Sequence, residues 1–273
     1  MEKYKLLRES LETAGGFRFE LGPLAGVEDL LRVHDKNFVE RFLQGALGAE
    51  ELRRIGFPNA PQLITRTLSS TGATTAAADV ALAEGKCGVL AGGTHHAHRD
   101  FGSGFCVLND IAVSAARLLA QGKAKRIAVI DLDVHQGDGT AAIFADEPRV
   151  FTFSAHGRHN FPFRKQQSDL DLEFENGTEG DEYLAKLQPA LDRVFAWQPD
   201  FVFYQAGVDA LATDRLGKLS LTHEDLAQRD ALVFSACRER NLPYVVTLGG
   251  GYSDPIRHTV AAAAQTFRSA QLA

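Results

Sequence analysis

Asp131, Asp133 and His135 alternate along the segment Asp131-Leu132-Asp133-Val134-His135. On extended backbone a period of two turns all three side chains to one face. Two carboxylates and an imidazole then converge. Like charges so close repel and raise each other's pKa unless a cation joins them, so a divalent metal is the simplest compensation. The competing reading is a structural Asp–His hydrogen-bond network, and Asp209, which follows another apolar run, shifts the balance by offering one more oxygen ligand. A metal held by Asp133, His135 and Asp209 has three protein ligands and an open position, the layout of a catalytic rather than a structural zinc site. Such an Asp₂His donor set accepts Zn²⁺, Fe²⁺ or Co²⁺. Because two carboxylates formally neutralise the ion, its water is less acidified than in an all-histidine site, and an external base becomes more necessary. The adjacent pair His95-His96 can supply it. Asp131 and Asp138 are not needed as ligands; a carboxylate on the far nitrogen of each imidazole would fix its tautomer and raise its basicity.

Three glycine-rich or aromatic stretches accompany these residues. Gly249-Gly250-Gly251 precedes Tyr252 and permits a tight, positive-φ turn with close substrate approach; the Tyr252 hydroxyl could donate to a developing oxyanion or simply pack on a rim. Gly102-Ser103-Gly104-Phe105-Cys106 lacks the lysine and hydroxyl residue of a phosphate loop, so packing is its default role. Asn160-Phe161-Pro162-Phe163 can form a hydrophobic plug. His34, His98, His156, His159, His223 and His258 show no converging pattern and are expected to be structural or solvent-exposed.

What must position these groups is a set of short apolar runs ending in Gly or Asp, separated by segments of helical period. That is the pattern of βα units around a parallel sheet. Strands are predicted at 87–91, 126–131, 150–154, 201–206 and 244–248, and helices at 109–121, 179–197, 223–240 and 255–270. The last helix would open on Asp254-Pro255 as cap and first-turn proline. Before residue 86 the pattern is less regular, with helices expected near 1–14, 34–45 and 61–84. Each chemically capable cluster follows one predicted strand, where a doubly wound α/β sheet gathers its ligands.

At 273 residues the chain forms one domain with a full core, and its 45% hydrophobic and 23% charged composition contains no linker or low-complexity tract. A formal net charge of −6 argues against nucleic acid as partner. Three cysteines without a CxxC spacing suggest neither a disulfide framework nor a thiolate metal site, which favours a reducing, cytoplasmic setting. No apolar stretch is long enough for a membrane span, and the N-terminus lacks the apolar core of a signal peptide.

Taken in order, GGTHHA (92–97), GSGFCVLND (102–110), DLDVHQGDGT (131–140), AGVDAL (206–211) and LGGGYS (248–253) resemble the motif set of the histone deacetylase family. GTEGDEYL (177–184) and DRLGKLSLT (214–222) look most like its class IV members and their bacterial relatives. The resemblance implies a single-domain arginase/deacetylase-like α/β fold, three layers about a central, mostly parallel sheet. It implies zinc on Asp133, His135 and Asp209, and His95 and His96 as the acid–base pair backed by Asp131 and Asp138. Tyr252 would polarise the substrate carbonyl, and Gly104, Phe105, Phe161 and Gly250 would line a narrow tunnel. A structural potassium would sit on backbone carbonyls of residues 131–135 and on Ser154. The substrate would be an acyl-lysine protein or peptide, or a small acylated amine such as an acetylpolyamine.

One departure accompanies the match. Family members usually begin with a strand and an HPFP-like segment ahead of the residues that match Met1-Glu2-Lys3-Tyr4, so the expectation is either that the first strand is absent or that the start codon is assigned internally. Two rivals are weighed. A binuclear manganese ureohydrolase needs further acidic ligands, and Asp209 lacks a companion carboxylate at the required local spacing. A noncatalytic acyl-lysine binding protein would have no use for the complete His–His, Asp–Asp and Tyr set.

Overall fold

The computed structural model describes residues 2–58 and 60–272. In chain order the elements are α1 (Glu2–Ala14), α2 (Val27–Leu30), α3 (Lys36–Leu43), α4 (Ala49–Ile55), α5 (Pro61–Glu84), β1 (Lys86–Val89), α6 (Asp110–Ala120), β2 (Ile127–Asp131), α7 (Asp138–Phe144), β3 (Val150–Gly157), β4 (Leu170–Phe174), α8 (Gly180–Ala196), β5 (Phe201–Gln205), α9 (His223–Glu239), β6 (Tyr244–Thr247) and α10 (Arg257–Leu272). All five strand pairings are parallel, in the order β1-β6-β5-β2-β3-β4.

Helices cover both faces, and the strands alternate between two cores as a doubly buried sheet requires. Ala128 and Ile130 of β2, with Val202 and Tyr204 of β5, pack beside Leu7, Leu187, Phe234 and Phe267 from α1, α8, α9 and α10. Ile127 and Val129, with Phe201 and Phe203, face Phe38, Ala78 and Ile111 from α3, α5 and α6. The result is the expected three-layer α/β fold.

Starting from β2, the chain winds outward through β3 and β4, then returns to lay β5 against the other side of β2 and continues to β6. The β2–β5 boundary is therefore where the winding reverses. Loops leaving the carboxyl ends of those two strands diverge to opposite faces and open a crevice between them. Asp131 ends β2 opposite Gln205, the last residue of β5.

Elements outside the expected set are short or masked by polarity. β4 alternates Leu170, Leu172 and Phe174 with Asp171 and Glu173, an edge strand on which Glu173 is exposed while Asp171 accepts from the Gln136 amide at 2.9 Å. In the sequence that alternation is diluted by the surrounding charge. α7 contains Gly139 and only 7 residues, too few to establish a helical period. α10 begins at Arg257 rather than at Pro255. Of the helix expected over 1–14, Met1 lies outside the described residues, and Glu2–Ala14 is helical.

Candidate active site

The turn after β2 folds back so that Asp133 and His135 meet Asp209 from the loop after β5. One ligand atom from each of the three side chains lies within 4.8 Å of the others. The Nδ1 of His135 is 3.0 Å from Asp133 Oδ1 and 3.1 Å from Asp209 Oδ2. Remaining carboxylate oxygens accept backbone hydrogens: Val134 N–H donates to Asp209 Oδ1 at 2.9 Å, and Gly250 N–H to Asp133 Oδ2 at 2.7 Å. These bonds aim the free lone pairs inward. Glycine is required at 250, because a Cβ there would fall on the Asp209 carboxylate and within 2.8 Å of Asp133 Oδ2.

Both aspartates are fully buried, at 1% and 0% exposure. Burial and the neighbouring Asp133 push the Asp209 carboxyl up to about 6, while Asp133 is held well below the carboxylate range because His95 and His135 outweigh its desolvation. Burial opposes charge on His135, but hydrogen bonds to Asp133 and Asp209 raise it to about 10. Two buried carboxylates therefore demand positive charge at this point. A divalent ion supplies it with the same donor atoms, so the residues fit a three-ligand metal.

Beside this cluster lie two histidine–aspartate pairs. His95 Nδ1 donates to Asp131 Oδ2 at 2.6 Å, and His96 Nδ1 to Asp138 Oδ1 at 2.6 Å. Their rings are 4.1 Å apart, and the His96 ring meets that of His135 edge-on at 6.0 Å. The two environments differ. Burial favours a neutral His95, but Asp131 and Asp133 outweigh it and raise the ring to about 9. Burial and the charge on His95 lower His96 to about 4, against the pull of Asp138.

The pair reaches this position through Asp110, the first residue of α6. Its Oδ1 accepts from Thr94 N–H at 2.7 Å, its Oδ2 from Gly93 N–H at 2.9 Å, and it also receives the hydroxyls of Thr94 and Thr74. Asn109 caps α6 by accepting Ala112 N–H, and its amide donates to Ala97 O and Thr140 Oγ1. Sequence reasoning gave neither residue a role, although both end the 102–110 motif.

The mouth of the site is aromatic. Phe161 packs edge-on against His96 at 4.9 Å, and Gly104 allows this, since a Cβ there would come within 2.6 Å of His96 and 3.0 Å of Phe161. Gly104 and Phe105 have φ of 52° and 63°, and that turn leaves Phe105 48% exposed at the rim. Its ring is 6.5 Å from that of Tyr252, itself 41% exposed. Tyr252 N–H donates to Asp214 Oδ2 at 2.6 Å. Beneath it, Lys3 from α1 donates to Gly249 O at 3.0 Å and lies 4.6 Å over the Tyr252 ring. Burial raises the phenol above its ordinary pKa, so it stays protonated. The site opens into a cavity of about 2330 Å³ that continues as a groove along the outer edge of β1.

Two histidines expected to be structural or exposed behave differently from one another. His159 is exposed and pairs with Glu175. His98 is buried, and its Nε2 is 3.0 Å from Asp138 Oδ2, which makes it part of the site's hydrogen-bond network. No local spacing announces that contact, because Asp138 lies 40 residues away. Ser154 pairs in register with Asp131, beside the turn suggested for potassium.

The histone deacetylase domain model matches residues 1–268. An uncharacterized protein of Picosynechococcus sp. is 46% identical over 229 residues, covering 84% of this chain and 76% of that protein. Histone deacetylase 2 of Arabidopsis thaliana is 33% identical over 82% of this chain and 60% of its own length. Human histone deacetylase 1 is 35% identical over 60% of this chain and 35% of its own. The chain thus spans 60% or less of these two relatives. The crystal structure of an HDA15 HD domain superposes with a TM-score of 0.80 at 23% identity, over 98% of this chain and 82% of that one, which shows the shared fold.

Proposed function

The chain belongs to the histone deacetylase domain family, and from that premise we propose that it is a metal-dependent hydrolase that removes acyl groups from acyl-lysine side chains or related acylated amines. The observation that carries this reading is the juxtaposition of a three-residue ligand cluster with two separately anchored imidazoles. A structural network would need neither the open side nor two bases.

In this reading Asp133, His135 and Asp209 hold zinc, or Fe²⁺ or Co²⁺; the bound ion supplies Lewis-acid polarisation of the acyl carbonyl and acidifies a water. His96, neutral and exposing its Nε2, takes the water's proton and later delivers it to the leaving amine. His95, held by Asp131, stabilises negative charge as it develops. The protonated Tyr252 hydroxyl donates to the tetrahedral oxyanion. Phe105 and Phe161 flank the approach, and Gly104 and Gly250 let aromatic ring and backbone come close to the site, which suits a slim acylated chain. A potassium at the 131–135 turn and Ser154 belongs to the same proposal, supported by the Asp131–Ser154 register. No helix among the described residues is long and apolar enough to cross a membrane, and the three cysteines are free, which supports a reducing cytoplasmic setting.

Turnover of acetyl- to myristoyl-lysine peptides and acetylated polyamines, before and after chelation, tests the reading. We expect hydrolysis that a chelator abolishes and about one equivalent of Zn²⁺ restores. Activity indifferent to chelation would overturn it, and a requirement for two equivalents would favour a binuclear centre.

A further inference from the structure

We propose that His98 is a positioning residue: acting through Asp138, it fixes the plane of the carboxylate that orients His96. The inference rests on the reading of His96 as the group that exchanges protons with substrate. Asp138 is gripped at both oxygens, Oδ1 by His96 Nδ1 at 2.6 Å and Oδ2 by His98 Nε2 at 3.0 Å. A carboxylate torsion is broad and nearly two-fold, so one donor alone leaves the group free to rock about its Cβ–Cγ bond. A second donor, fixed to separate supports and attached to the other oxygen, removes that freedom.

His98 has those supports. Its ring stacks on Phe101 at 4.3 Å and 17°, and the Arg54 guanidinium lies 4.8 Å over the Phe101 ring. Its own N–H donates to Phe101 O at 2.9 Å, while its carbonyl accepts His34 Nδ1–H at 3.0 Å. His34 is in turn fixed by Asn109 N–H, which donates to its Nε2 at 2.9 Å. A chain of bonds therefore runs from the start of α6 through His34 and His98 to Asp138.

The backbone of Asp138 is held at the start of α7, where its N–H donates to Gln136 O at 2.8 Å, but that leaves the torsion of its carboxylate unrestrained. Asp138 lies between Gly137 and Gly139, and Gly139 packs so closely on Ala97 O that no side chain fits there. His96 is braced on the substrate side by Phe161, and among the described residues its far nitrogen is held by the Asp138 carboxylate. Rotation of that carboxylate swings the imidazole. Filling space beside Phe101 would not require a nitrogen aimed at Asp138; holding a carboxylate does.

The test compares His98→Phe, which keeps a stacking ring and removes the N–H, with His98→Gln, which restores a donor. With the metal-loaded enzyme and an acyl-lysine peptide, His98→Phe should lower kcat about tenfold with KM within about twofold, and His98→Gln should recover most of kcat. A second readout needs no turnover: in ¹⁵N-histidine-labelled protein the downfield Nδ1 proton of His96 should be sharp in the wild type and His98→Gln, and exchange-broadened in His98→Phe. If His98→Phe fails to fold, Phe101→Leu, which frees the His98 ring but leaves its N–H, should give the same broadening to a smaller degree. A sharp His96 proton with unchanged kcat in the variants overturns the inference. A wild type inactive on every acylated amine would instead refute the proposed function, leaving the proton resonance to decide the role of His98.

Discussion

Replacing Asp110 by Asn isolates how the His95-His96 segment is held. The carboxylate accepts Gly93 N–H at 2.9 Å and Thr94 N–H at 2.7 Å, with the hydroxyls of Thr74 and Thr94 completing its shell, and it is fully buried. Asparagine has the same shape but one acceptor oxygen and no charge. If its oxygen stays on Thr94, its NH₂ faces the Gly93 N–H, and one buried donor loses its best partner. The two backbone bonds also change from charge-assisted to neutral, a loss of about 1 kcal/mol each, and the opposed donors add about 1 kcal/mol more. The sum is about 3 kcal/mol, or about 5 °C in Tm for a chain of this size. Thr74→Val, which removes a single hydroxyl donor, should cost about 1 kcal/mol. Urea denaturation of the three proteins side by side measures both quantities, and turnover of an acyl-lysine peptide should fall in Asp110→Asn because Gly93 and Thr94 lead directly into His95. An Asp110→Asn protein within about 0.5 kcal/mol of wild type would refute the claim that this carboxylate organises the loop.

Three further outcomes are expected. Tyr252→Phe should lower kcat by about 10²–10³ with little change in KM, since the hydroxyl is assigned to the oxyanion alone; undiminished turnover would remove it from the mechanism. Gly250→Ala places a methyl group on the Asp209 carboxylate, so elemental analysis after dialysis against Zn²⁺ should find the variant substantially metal-poor; full loading would show that the pocket tolerates the side chain. His34 is held neutral, lowered by burial to about 4 from an ordinary 6.5, and protonating its Nε2 would break the bond from Asn109 N–H. Its folded pKa lies below its unfolded one, so its contribution is intact above pH 6.5 and is lost as pH falls toward 4, by about 3 kcal/mol. His34→Gln should be less stable than wild type at pH 7 yet lose about 3 kcal/mol less between pH 7 and 4 in urea titrations; parallel pH profiles would contradict this.

Much of the site is local and therefore legible in the chain. Asp131, Asp133 and His135 are close in sequence, although β2 ends at Asp131 and side-chain-to-backbone turns rather than extended backbone carry Asp133 and His135 into the site while Asp131 turns to His95; His95 and His96 are neighbours, and Gly250 precedes Tyr252 by two positions. Glycine and aspartate at the ends of apolar runs likewise mark where strands stop and loops begin, which is enough to predict a parallel α/β sheet. Local pattern says little about edge strands such as β4, where alternating Leu and Asp carry a weak signal, or about a helix as short as α7.

Tertiary structure alone decided which distant groups meet. Asp209 reaches Asp133 only because β5 pairs with β2 rather than with the far edge of the sheet, a choice made by two cores that must both be filled. His98, in the loop after β1, reaches Asp138 at the start of α7, and Lys3 of α1 reaches the glycine turn, across 40 and 246 residues of sequence. Residue type and short-range period specify which groups can do chemistry. Whether a histidine is a solvated surface group or one hand on a buried carboxylate depends on contacts between segments that no local period encodes.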